Sequence, residues 1–408
     1  MDSGSLSSMS LFSKMRIVIT GVGFRSALGD LASTWSSLLK GKSAILLQRR
    51  CAYGRLNANA NELIKPFANL PLLPVAMIDK QPQHVINLTR TVVIEAIQDA
   101  GLSLPLPDYG VVVGSSRGCQ SQWEKFGSDP TRQTDLTSWL DTLPHSPAIS
   151  TARYIGSQSA LLAPMAACAT GIWSVAQAVN LIRSEACERA ITGAVEAPIT
   201  PLTIAGFTQL GALATTGCYP FDRQREGLVL GEAGAVFILE TAELAQARGA
   251  KIYGEVLDFG LTNDAYHECA MDLDGTAARR AIEDCLDRSH LIPADIDYVH
   301  AHGTGTLLND RRESQLIQQI FPAGVAVSST KGATGHTLGA SGAVGIAMCL
   351  QSMASQTLPP CVGLTDSEFD LDLVTSPRHA EVNHLLCLSF GFGGQNAAIA
   401  LREWVNRA

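Results

Sequence analysis

The sequence predicts a layered α/β protein in which two similar halves share one core. Short β-rich runs alternate with amphipathic helical runs along the chain, and this order of elements restarts near residue 250. With 408 residues, 46% of them hydrophobic and 17% charged, the chain is long and apolar enough to bury a large core. We therefore predict one unit built from residues 16–250 and 251–408, preceded by a flexible N-terminal tail at residues 1–15.

Individual elements follow from apolar runs and from apolar residues spaced three and four apart. Residues 45–80 show weak periodicity, and the prolines in residues 128–147 predict a polar loop. The predicted strands are 16–20, 109–114, 189–192, 235–240, 251–257, 298–301, 325–328, 384–389 and 396–401. The predicted helices are 32–40, 83–100, 169–184, 242–248, 276–288, 311–320 and 338–351.

Composition and charge exclude several classes of function. A net charge of -8 argues against a general nucleic-acid or anionic-membrane binder. No run approaches the roughly 18 apolar residues that a membrane-spanning helix needs. The ten cysteines include no Cys-x-x-Cys pair, which disfavours a zinc site, and their scatter along a long chain favours a reducing, cytoplasmic compartment.

One thiol lies directly before a predicted helix. Apolar residues at Ile172, Val175 and Val179 repeat at helical spacing, so Cys168 should lie at the N-terminal end of helix 169–184. The positive end of the helix dipole would favour the thiolate and lower the thiol pKa, which would make Cys168 a nucleophile. A buried structural cysteine is the alternative on these residues alone.

Three glycine-containing stretches at predicted strand ends hold further residues of interest. A single histidine on a loop is more often a solvated or packed side chain than a catalyst, so none of the three decides a function alone. The dense glycines in the last stretch imply a tightly packed turn. The stretches are 300–306 with His302, Thr304 and Thr306, 328–336 with Lys331 and His336, and 389–396 with Phe390 and Phe392.

Two short motifs point to other functions and are weak. Gly21-Val-Gly23 follows the first strand, as in dinucleotide-binding proteins, but the third glycine of that fingerprint falls at Ser26. Gly114-Ser-Ser-Arg-Gly118 matches the Gly-x-Ser-x-Gly turn of serine hydrolases, with Ser116 as the candidate nucleophile. Because three fixed positions often match by chance, a serine hydrolase is the less favoured alternative.

Together, the motifs resemble the signature set of the β-ketoacyl-acyl carrier protein synthases. Three further passages, 193–201, 220–223 and 231–234, resemble the same family, and the likeness runs in order from residue 16 to residue 401. This agreement favours the nucleophile over the structural cysteine at position 168. The main motifs are Ala167-Cys-Ala-Thr-Gly171, Ala301-His-Gly-Thr-Gly-Thr306, Lys331 with Gly335-His336, and Phe390-Gly-Phe-Gly-Gly394.

The resemblance implies a thiolase-like fold, in which two related βα halves stack as α-β-α-β-α in a single unit that forms a homodimer. It implies the decarboxylative Claisen condensation of an acyl thioester with malonyl-acyl carrier protein, in fatty acid or polyketide biosynthesis. Acyl carrier protein would be the partner, and no metal or cofactor would be needed. A heterodimer with a second ketosynthase-like chain is the alternative assembly.

The same resemblance implies a role for each site residue. Cys168 would carry the acyl group, and the backbone N–H groups of Cys168 and Phe392 would form the oxyanion hole. His302 and His336 would donate from Nε2 to the malonyl carbonyl, and Lys331 would hold the local charge balance. Phe392 with Phe390 would gate the site, Thr304 and Thr306 would bind the pantetheine arm, and Arg117 would lie near the acyl pocket.

Some positions depart from the family pattern. Gly345 stands nine residues after His336, where the family usually has a glutamate, so a supporting carboxylate is missing. Arg117 stands where an aliphatic residue often lies near the pocket floor. Its guanidinium should either pair with an acid or cap a shortened pocket, and the second case predicts short or polar acyl groups. Gly211 stands where an arginine usually helps to dock the acidic carrier, and a basic run is reduced to Lys80. Candidate replacements for these docking charges are Arg132, Arg223 and Arg225.

These departures keep other members of the superfamily open. A non-catalytic, chain-length-factor-like partner of another ketosynthase would fit the missing glutamate, although such a chain is expected to lack Cys168. A degradative thiolase would share the fold, but it needs a second catalytic cysteine where this chain has Phe392.

Overall fold

A computed structural model of the chain describes residues 15–48, 73–128, 139–267, 272 and 274–405. Four predictions concern residues outside these ranges, in whole or in part. They are the N-terminal tail, the weakly periodic stretch 45–80, the polar loop 128–147 and the docking candidate Arg132.

Sixteen strands and eleven α-helices lie within the described residues. The strands are β1 (Ile17–Ser26), β2 (Leu46–Gln48), β3 (Leu73–Ala76), β4 (Tyr109–Gly114), β5 (Leu161–Leu162), β6 (Arg189–Glu196), β7 (Leu230–Gly231), β8 (Ala233–Thr241), β9 (Gly254–Asn263), β10 (Tyr298–His300), β11 (Ala326–Ser328), β12 (Thr357–Leu358), β13 (Asp372–Leu373), β14 (Arg378–His379), β15 (His384–Gly391) and β16 (Gln395–Arg402). The helices are α1 (Leu31–Leu39), α2 (Val85–Asp99), α3 (Gln120–Ser128), α4 (Ser146–Ile155), α5 (Thr170–Arg183), α6 (Pro201–Gln209), α7 (Ala242–Ala247), α8 (Thr276–Ser289), α9 (Leu307–Ile320), α10 (Lys331–Thr334) and α11 (Ser341–Ser355).

Eleven strands form one sheet, in the order β13-β11-β10-β15-β16-β9-β1-β8-β6-β4-β5. From β1 outward, the strands β8, β6, β4 and β5 are joined by two antiparallel pairings and then two parallel ones. From β9 outward, β16, β15, β10 and β11 repeat this series. A short antiparallel pairing of β1 with β9 connects the two series. The predicted pair of related βα halves is therefore confirmed.

Helices occupy equivalent places in the two halves. α2 packs on β1, and α8 packs on β9, so both lie on outer faces of the sheet. α5 contacts β4 and β6, while α11 contacts β15 and β8, and these two helices also pack against each other. They form a buried middle layer, which gives the α-β-α-β-α order predicted from the resemblance.

A glycine at the same position of β1 and β9 lets the outer helix of each half approach its strand. A Cβ on Gly23 would lie 1.7 Å from the Val92 carbonyl oxygen, and a Cβ on Gly260 would lie 1.8 Å from the Ala281 carbonyl oxygen. Any side chain there would push the helix away from the sheet. Gly23 thus serves helix packing, which explains the motif that superficially matched a dinucleotide site.

Most predicted elements are observed within a few residues, and β4 matches its predicted bounds. Four helices, α3, α4, α6 and α10, were not predicted, and two of them have a proline in the first turn. Pro147 lies in the first turn of α4, and Pro201 begins α6, a position where proline's missing N–H costs no helical hydrogen bond. α9 begins four residues earlier than predicted, because the Thr306 hydroxyl accepts a hydrogen bond from the Asn309 N–H and caps the helix.

One helical stretch has the length and apolar composition of a membrane span, contrary to the expectation from the sequence. This stretch, Leu338–Ser355, includes α11, and 83% of it is buried inside the protein. Its apolar composition is that of a core helix surrounded by other elements of the fold.

Candidate active site

A constrained turn presents Cys168 at the start of α5. Ala167 adopts a left-handed backbone conformation with φ of 46°, which alanine rarely adopts. The Thr170 hydroxyl donates a hydrogen bond of 2.7 Å to the Ala167 carbonyl oxygen. The Cys168 carbonyl oxygen accepts hydrogen bonds from the hydroxyls of Ser389 at 2.8 Å and Ser341 at 3.3 Å. Residues from both halves therefore fix the turn.

The structure brings Cys168, His302 and His336 together. The cysteine sulfur and one ring nitrogen of each histidine lie within 4.8 Å of one another. The two imidazole rings meet edge to face, with centroids 5.2 Å apart. All three side chains are buried, but they line one cavity of about 300 Å³. A ligand in this cavity would contact a thiol and two imidazoles at once.

Opposite charges hold the His302 backbone from two sides. The buried Lys331 ammonium donates a hydrogen bond to the His302 carbonyl oxygen and lies 3.5 Å from its Nδ1. The Glu313 carboxylate accepts hydrogen bonds from the backbone N–H groups of His302 at 2.6 Å and Gly303 at 2.7 Å. A bond accepted at Nδ1 leaves the ring proton on Nε2, the donor atom expected from the sequence.

Both active-site imidazoles are neutral near pH 7. Burial, followed by the charge of Lys331, lowers the pKa of His302 and of His336 well below the ordinary histidine value. A neutral imidazole has one N–H donor and one acceptor nitrogen. Each ring can therefore donate a hydrogen bond to a carbonyl oxygen, or accept a proton, without first losing one.

The expected lowering of the thiol pKa by the helix dipole is wrong. Burial raises the pKa of the Cys168 thiol to about 11, and it outweighs the lowering effects of Lys331, Arg117 and the Phe392 N–H. Cys168 precedes the first helical residue, Thr170, by two positions, whereas its sulfur is fully desolvated. The resting thiol is therefore protonated, and the neutral imidazoles are the neighbouring proton acceptors.

This electrostatic setting predicts a steep pH dependence of alkylation. Because only the thiolate reacts, the rate of Cys168 alkylation by iodoacetamide should rise about tenfold per pH unit from pH 7 to pH 10. Lys331→Met should lower this rate, since the Lys331 charge favours the thiolate. Peptide mass mapping at each pH gives the rate at this one cysteine. A plateau below pH 8 would instead support the helix-dipole prediction.

Phe392 contributes both its backbone and its ring to the site. Its backbone N–H lies near the Cys168 thiol and acts to lower the pKa of that group. Its ring packs against Phe207 with centroids 5.7 Å apart, and the Phe390 ring meets His302 edge-on at 6.0 Å. The predicted oxyanion donor and the predicted gating rings are thus all at the cavity.

The hydroxyls of Thr304 and Thr306 lie 2.9 Å apart, and both residues line the cavity. The buried Asp310 carboxylate holds this turn by accepting hydrogen bonds from the N–H groups of Thr304 at 3.0 Å and Gly305 at 3.2 Å. The turn therefore presents two hydroxyls to a polar chain entering the cavity, as the resemblance implies for a pantetheine arm.

Sequence reasoning missed the acids that support the histidine turn. Asp310 and Glu313 lie three positions apart on the buried side of α9, and both bind backbone N–H groups of the turn that contains His302. A signal was present, because Glu313 on the predicted helix and Asp310 just before it are acids that need partners if they face inward, and the N–H groups of the preceding turn were the nearest candidates.

Family models cover both halves of the chain. The N-terminal domain of β-ketoacyl synthase matches residues 14–245, and its C-terminal domain matches residues 253–365. The chain belongs to the β-ketoacyl synthase family. A relative from Staphylococcus aureus (strain MRSA252), 3-oxoacyl-[acyl-carrier-protein] synthase 2, is 32% identical over 96% of this chain and 99% of its own length.

Solved structures agree with this membership. The ishigamide ketosynthase/chain length factor is 26% identical, with a TM-score of 0.85, and the match covers 96% of this chain and 100% of that one. A type II PKS ketosynthase, bound to the hexaketide and in complex with its acyl-carrier protein, is 25% identical, with the same TM-score and coverage.

In this β-ketoacyl synthase, other side chains fill the space beside Gly345. A Cβ at Gly345 would lie 2.6 Å from the Cys387 sulfur and 2.9 Å from the His300 Nδ1. His300 Nε2 in turn lies 3.3 Å from the Thr330 hydroxyl oxygen, next to Lys331. With these neighbours in place, position 345 has no room for a glutamate side chain. The side chains of Cys387 and His300 occupy the space beside it instead.

The hydrolase alternative is contradicted by the surroundings of Ser116. Its hydroxyl donates a hydrogen bond of 2.5 Å to the Glu196 carboxylate, which also accepts from the Ser116 N–H at 2.7 Å and the Ser115 hydroxyl at 2.8 Å. A serine nucleophile needs a base such as imidazole, directed at its hydroxyl. Ser116 instead belongs to the shell of hydrogen bonds around a buried carboxylate.

Arg117 differs from its expected burial. In the single chain its side chain is exposed, and its guanidinium lies 5.6 Å from the centroid of the Phe207 ring. Phe207 is the ring that contacts Phe392. Phe207 therefore lies between the Arg117 guanidinium and the Phe392 ring, and no buried unpaired charge has to be explained.

Two candidate docking arginines are already paired. Arg225 is buried, with its guanidinium 2.7 Å from Glu368 and 4.6 Å from the Phe369 ring centroid. Arg223 lies on the surface, 2.7 Å from Asp366. Burial makes Arg225 unsuitable as a docking residue, so this expectation is wrong for Arg225.

Proposed function

We propose that this β-ketoacyl synthase catalyses the decarboxylative Claisen condensation of an acyl thioester with malonyl-acyl carrier protein. The observation that carries the proposal is the meeting of one thiol and two neutral imidazoles at one cavity. A thiol provides a covalent acyl carrier, and two N–H donors stabilise an enolate oxygen. The combination supplies both halves of the condensation.

In the first half-reaction, Cys168 takes the acyl group from a carrier thioester. The sulfur attacks the thioester carbon, and the resulting oxyanion binds the N–H groups of Cys168 and Phe392. The carbon–sulfur bond to the carrier then breaks. The proton from the Cys168 thiol ends on the departing carrier thiol, so the products are an acyl-cysteine and a free carrier.

In the second half-reaction, malonyl carrier loses carbon dioxide. The electrons of the broken carbon–carbon bond form an enolate, whose oxygen accepts hydrogen bonds from His302 and His336. The enolate carbon attacks the acyl-cysteine, and collapse of the second oxyanion releases the Cys168 thiolate, which takes up a proton. The products are carbon dioxide and a β-ketoacyl carrier extended by two carbons. Every step uses residues of this chain and its substrates.

One observation supports a second candidate, a non-catalytic, chain-length-factor-like partner of another ketosynthase. Gly345 removes a carboxylate that the family usually has. Against this candidate stand the retained thiol and both retained imidazoles around the cavity. A degradative thiolase is disfavoured because Phe392 occupies the place of its second cysteine.

The proposed partner is acyl carrier protein, which delivers both substrates. A solved relative is a ketosynthase in complex with its acyl-carrier protein, and the Staphylococcus relative is named for the same carrier. We propose a homodimer, with a ketosynthase/chain length factor pair as the alternative assembly because one structural relative is such a pair. The enzyme would act in the cytoplasm, in fatty acid or polyketide biosynthesis.

Arg117 is the proposed determinant of acyl chain length. Its guanidinium is next to Phe207 and so disfavours a long apolar chain beside the gating rings. Arg117→Ile should increase acceptance of long saturated chains, by about 0.8 kcal/mol per additional buried methylene. Two or three more carbons would then change selectivity about tenfold or more. Loading rates from acetyl to palmitoyl carrier, with Arg153→Ile as a surface control, measure the effect. Equal loading of butyryl and palmitoyl by the unaltered protein would contradict this role.

A coupled mass measurement tests the proposed function. The chain is incubated with a panel of acyl carriers and then with malonyl carrier. We expect intact mass to show one acyl group on Cys168, and the carrier to gain a β-ketoacyl group with release of carbon dioxide. Loading without any extension would favour the chain-length-factor-like alternative, and the absence of both would refute the condensing function.

A further inference from the structure

Three large apolar side chains are exposed around the mouth of the active-site cavity. Leu210 follows α6, and Leu307 and Leu308 begin α9; their exposed fractions are 53%, 55% and 45%. All three line the cavity that contains Cys168. A single exposed leucine needs no explanation, but three around one opening form an apolar surface that a partner could cover. We call these three residues the leucine rim.

The charges at this mouth do not favour an acidic partner. The cavity lining among the described residues contains no lysine or arginine outside the reacting centre, but it contains Glu226 and Asp264. Gly211, next to Leu210, has φ of 63° and open space where a side chain would be. Arg225 is buried against Glu368. Few basic residues are therefore available at the mouth to form ion pairs with an acidic partner.

The nearest basic side chains along α9 are Arg311 and Arg312. Arg311 is exposed and lies one helical turn beyond Leu307, and Arg312 is half-buried and lies one turn beyond Leu308. Arginines on a helix surface supply little binding free energy through ion pairs, because water and salt screen them. The binding free energy of a partner at this mouth must therefore come mainly from burial of apolar surface.

We propose that the leucine rim is the docking surface for acyl carrier protein, and that this carrier binds through apolar side chains beside its pantetheine attachment site. This inference rests on the proposed function, because a thioester on a carrier must enter the cavity through the mouth to reach Cys168. Thr304 and Thr306 line the same cavity and mark the path of the arm. The carrier surface around the attachment site must then lie against the rim.

The test compares a carrier-bound acyl group with the same group on N-acetylcysteamine, which has no protein to dock. For each variant, the ratio of kcat/KM for the carrier thioester to kcat/KM for the small thioester is measured. Leu307→Asp and Leu308→Asp should each lower this ratio about tenfold, the loss expected for one buried leucine contact. Ile292→Asp, at a side chain 62% exposed elsewhere on the surface, is the matched control and should leave the ratio unchanged.

Salt and a charge variant separate apolar docking from ionic docking. Raising sodium chloride from 50 to 500 mM should change KM for the carrier less than about threefold, and Arg311→Ala should have a similarly small effect. A tenfold rise in KM with salt would overturn the proposal. An equal loss of activity with both thioesters in the leucine variants would also overturn it. If the unaltered protein uses neither thioester, the proposed function fails instead.

Discussion

Replacing Cys168 with alanine should abolish covalent acylation and lower condensation by about 10⁴-fold or more, as expected when a covalent nucleophile is removed. No other cysteine among the described residues lines the cavity. The other seven described cysteines are buried in the fold. Within the part of the chain that the structure describes, no second thiol is therefore placed to take over the acyl group. The measurement is intact mass after incubation with acyl carrier, followed by product formation with malonyl carrier.

Ser116→Ala is the control that separates the two candidate nucleophiles. It removes a hydroxyl that binds Glu196 and should retain acylation of Cys168. Because it leaves a buried carboxylate with one hydrogen bond fewer, it should cost about 1–3 kcal/mol of stability, so a thermal melt accompanies the assay. An active Cys168→Ala variant, or a folded Ser116→Ala variant that no longer acylates, would contradict the condensing mechanism.

The position of the nucleophile was predictable because it depends on local sequence. Apolar spacing after Cys168 placed the helix start within two residues, and glycine-rich stretches at strand ends placed His302 and His336 on turns. Parallel strands bring such turns to one edge of a sheet, and here β10 and β11, which precede the two histidines, pair in parallel. The resemblance then gave these residues their roles, which spacing alone could not give.

Properties that depend on burial were not predictable from local sequence. The thiol pKa of Cys168 follows from complete desolvation, which is set by elements from both halves, and not from the nearby helix end. The position of Arg117 beside the Phe207 ring likewise joins residues far apart in the sequence. The repacking around Gly345 involves His300 on β10 and Cys387 on β15. Each of these contacts joins residues that are distant in the sequence, so the spacing of apolar residues along the chain cannot predict it.

His302→Ala and His336→Ala should each reduce malonyl decarboxylation about 100- to 1000-fold, the usual loss for one donor to a developing oxyanion. Acylation of Cys168 should fall much less, because its oxyanion binds backbone N–H groups. Release of carbon dioxide from malonyl carrier and intact mass after acyl loading measure the two steps separately. His379→Ala, at an exposed histidine, is the matched control.

Measuring decarboxylation and acylation separately also distinguishes a hydrogen-bond donor role of each histidine from a purely structural role. Glutamine has an amide N–H donor, so His336→Gln should recover part of the decarboxylation lost in His336→Ala if donation is what matters. If the histidine is only structural, the alanine variant should lose decarboxylation and acylation equally, and the glutamine variant should recover neither. Because the His302 ring also contacts the Lys331 ammonium through Nδ1 and the Phe390 ring, its removal disturbs more contacts than that of His336. We therefore expect the clearer separation at His336, and decarboxylation at the unaltered rate in either alanine variant would refute the role of that residue.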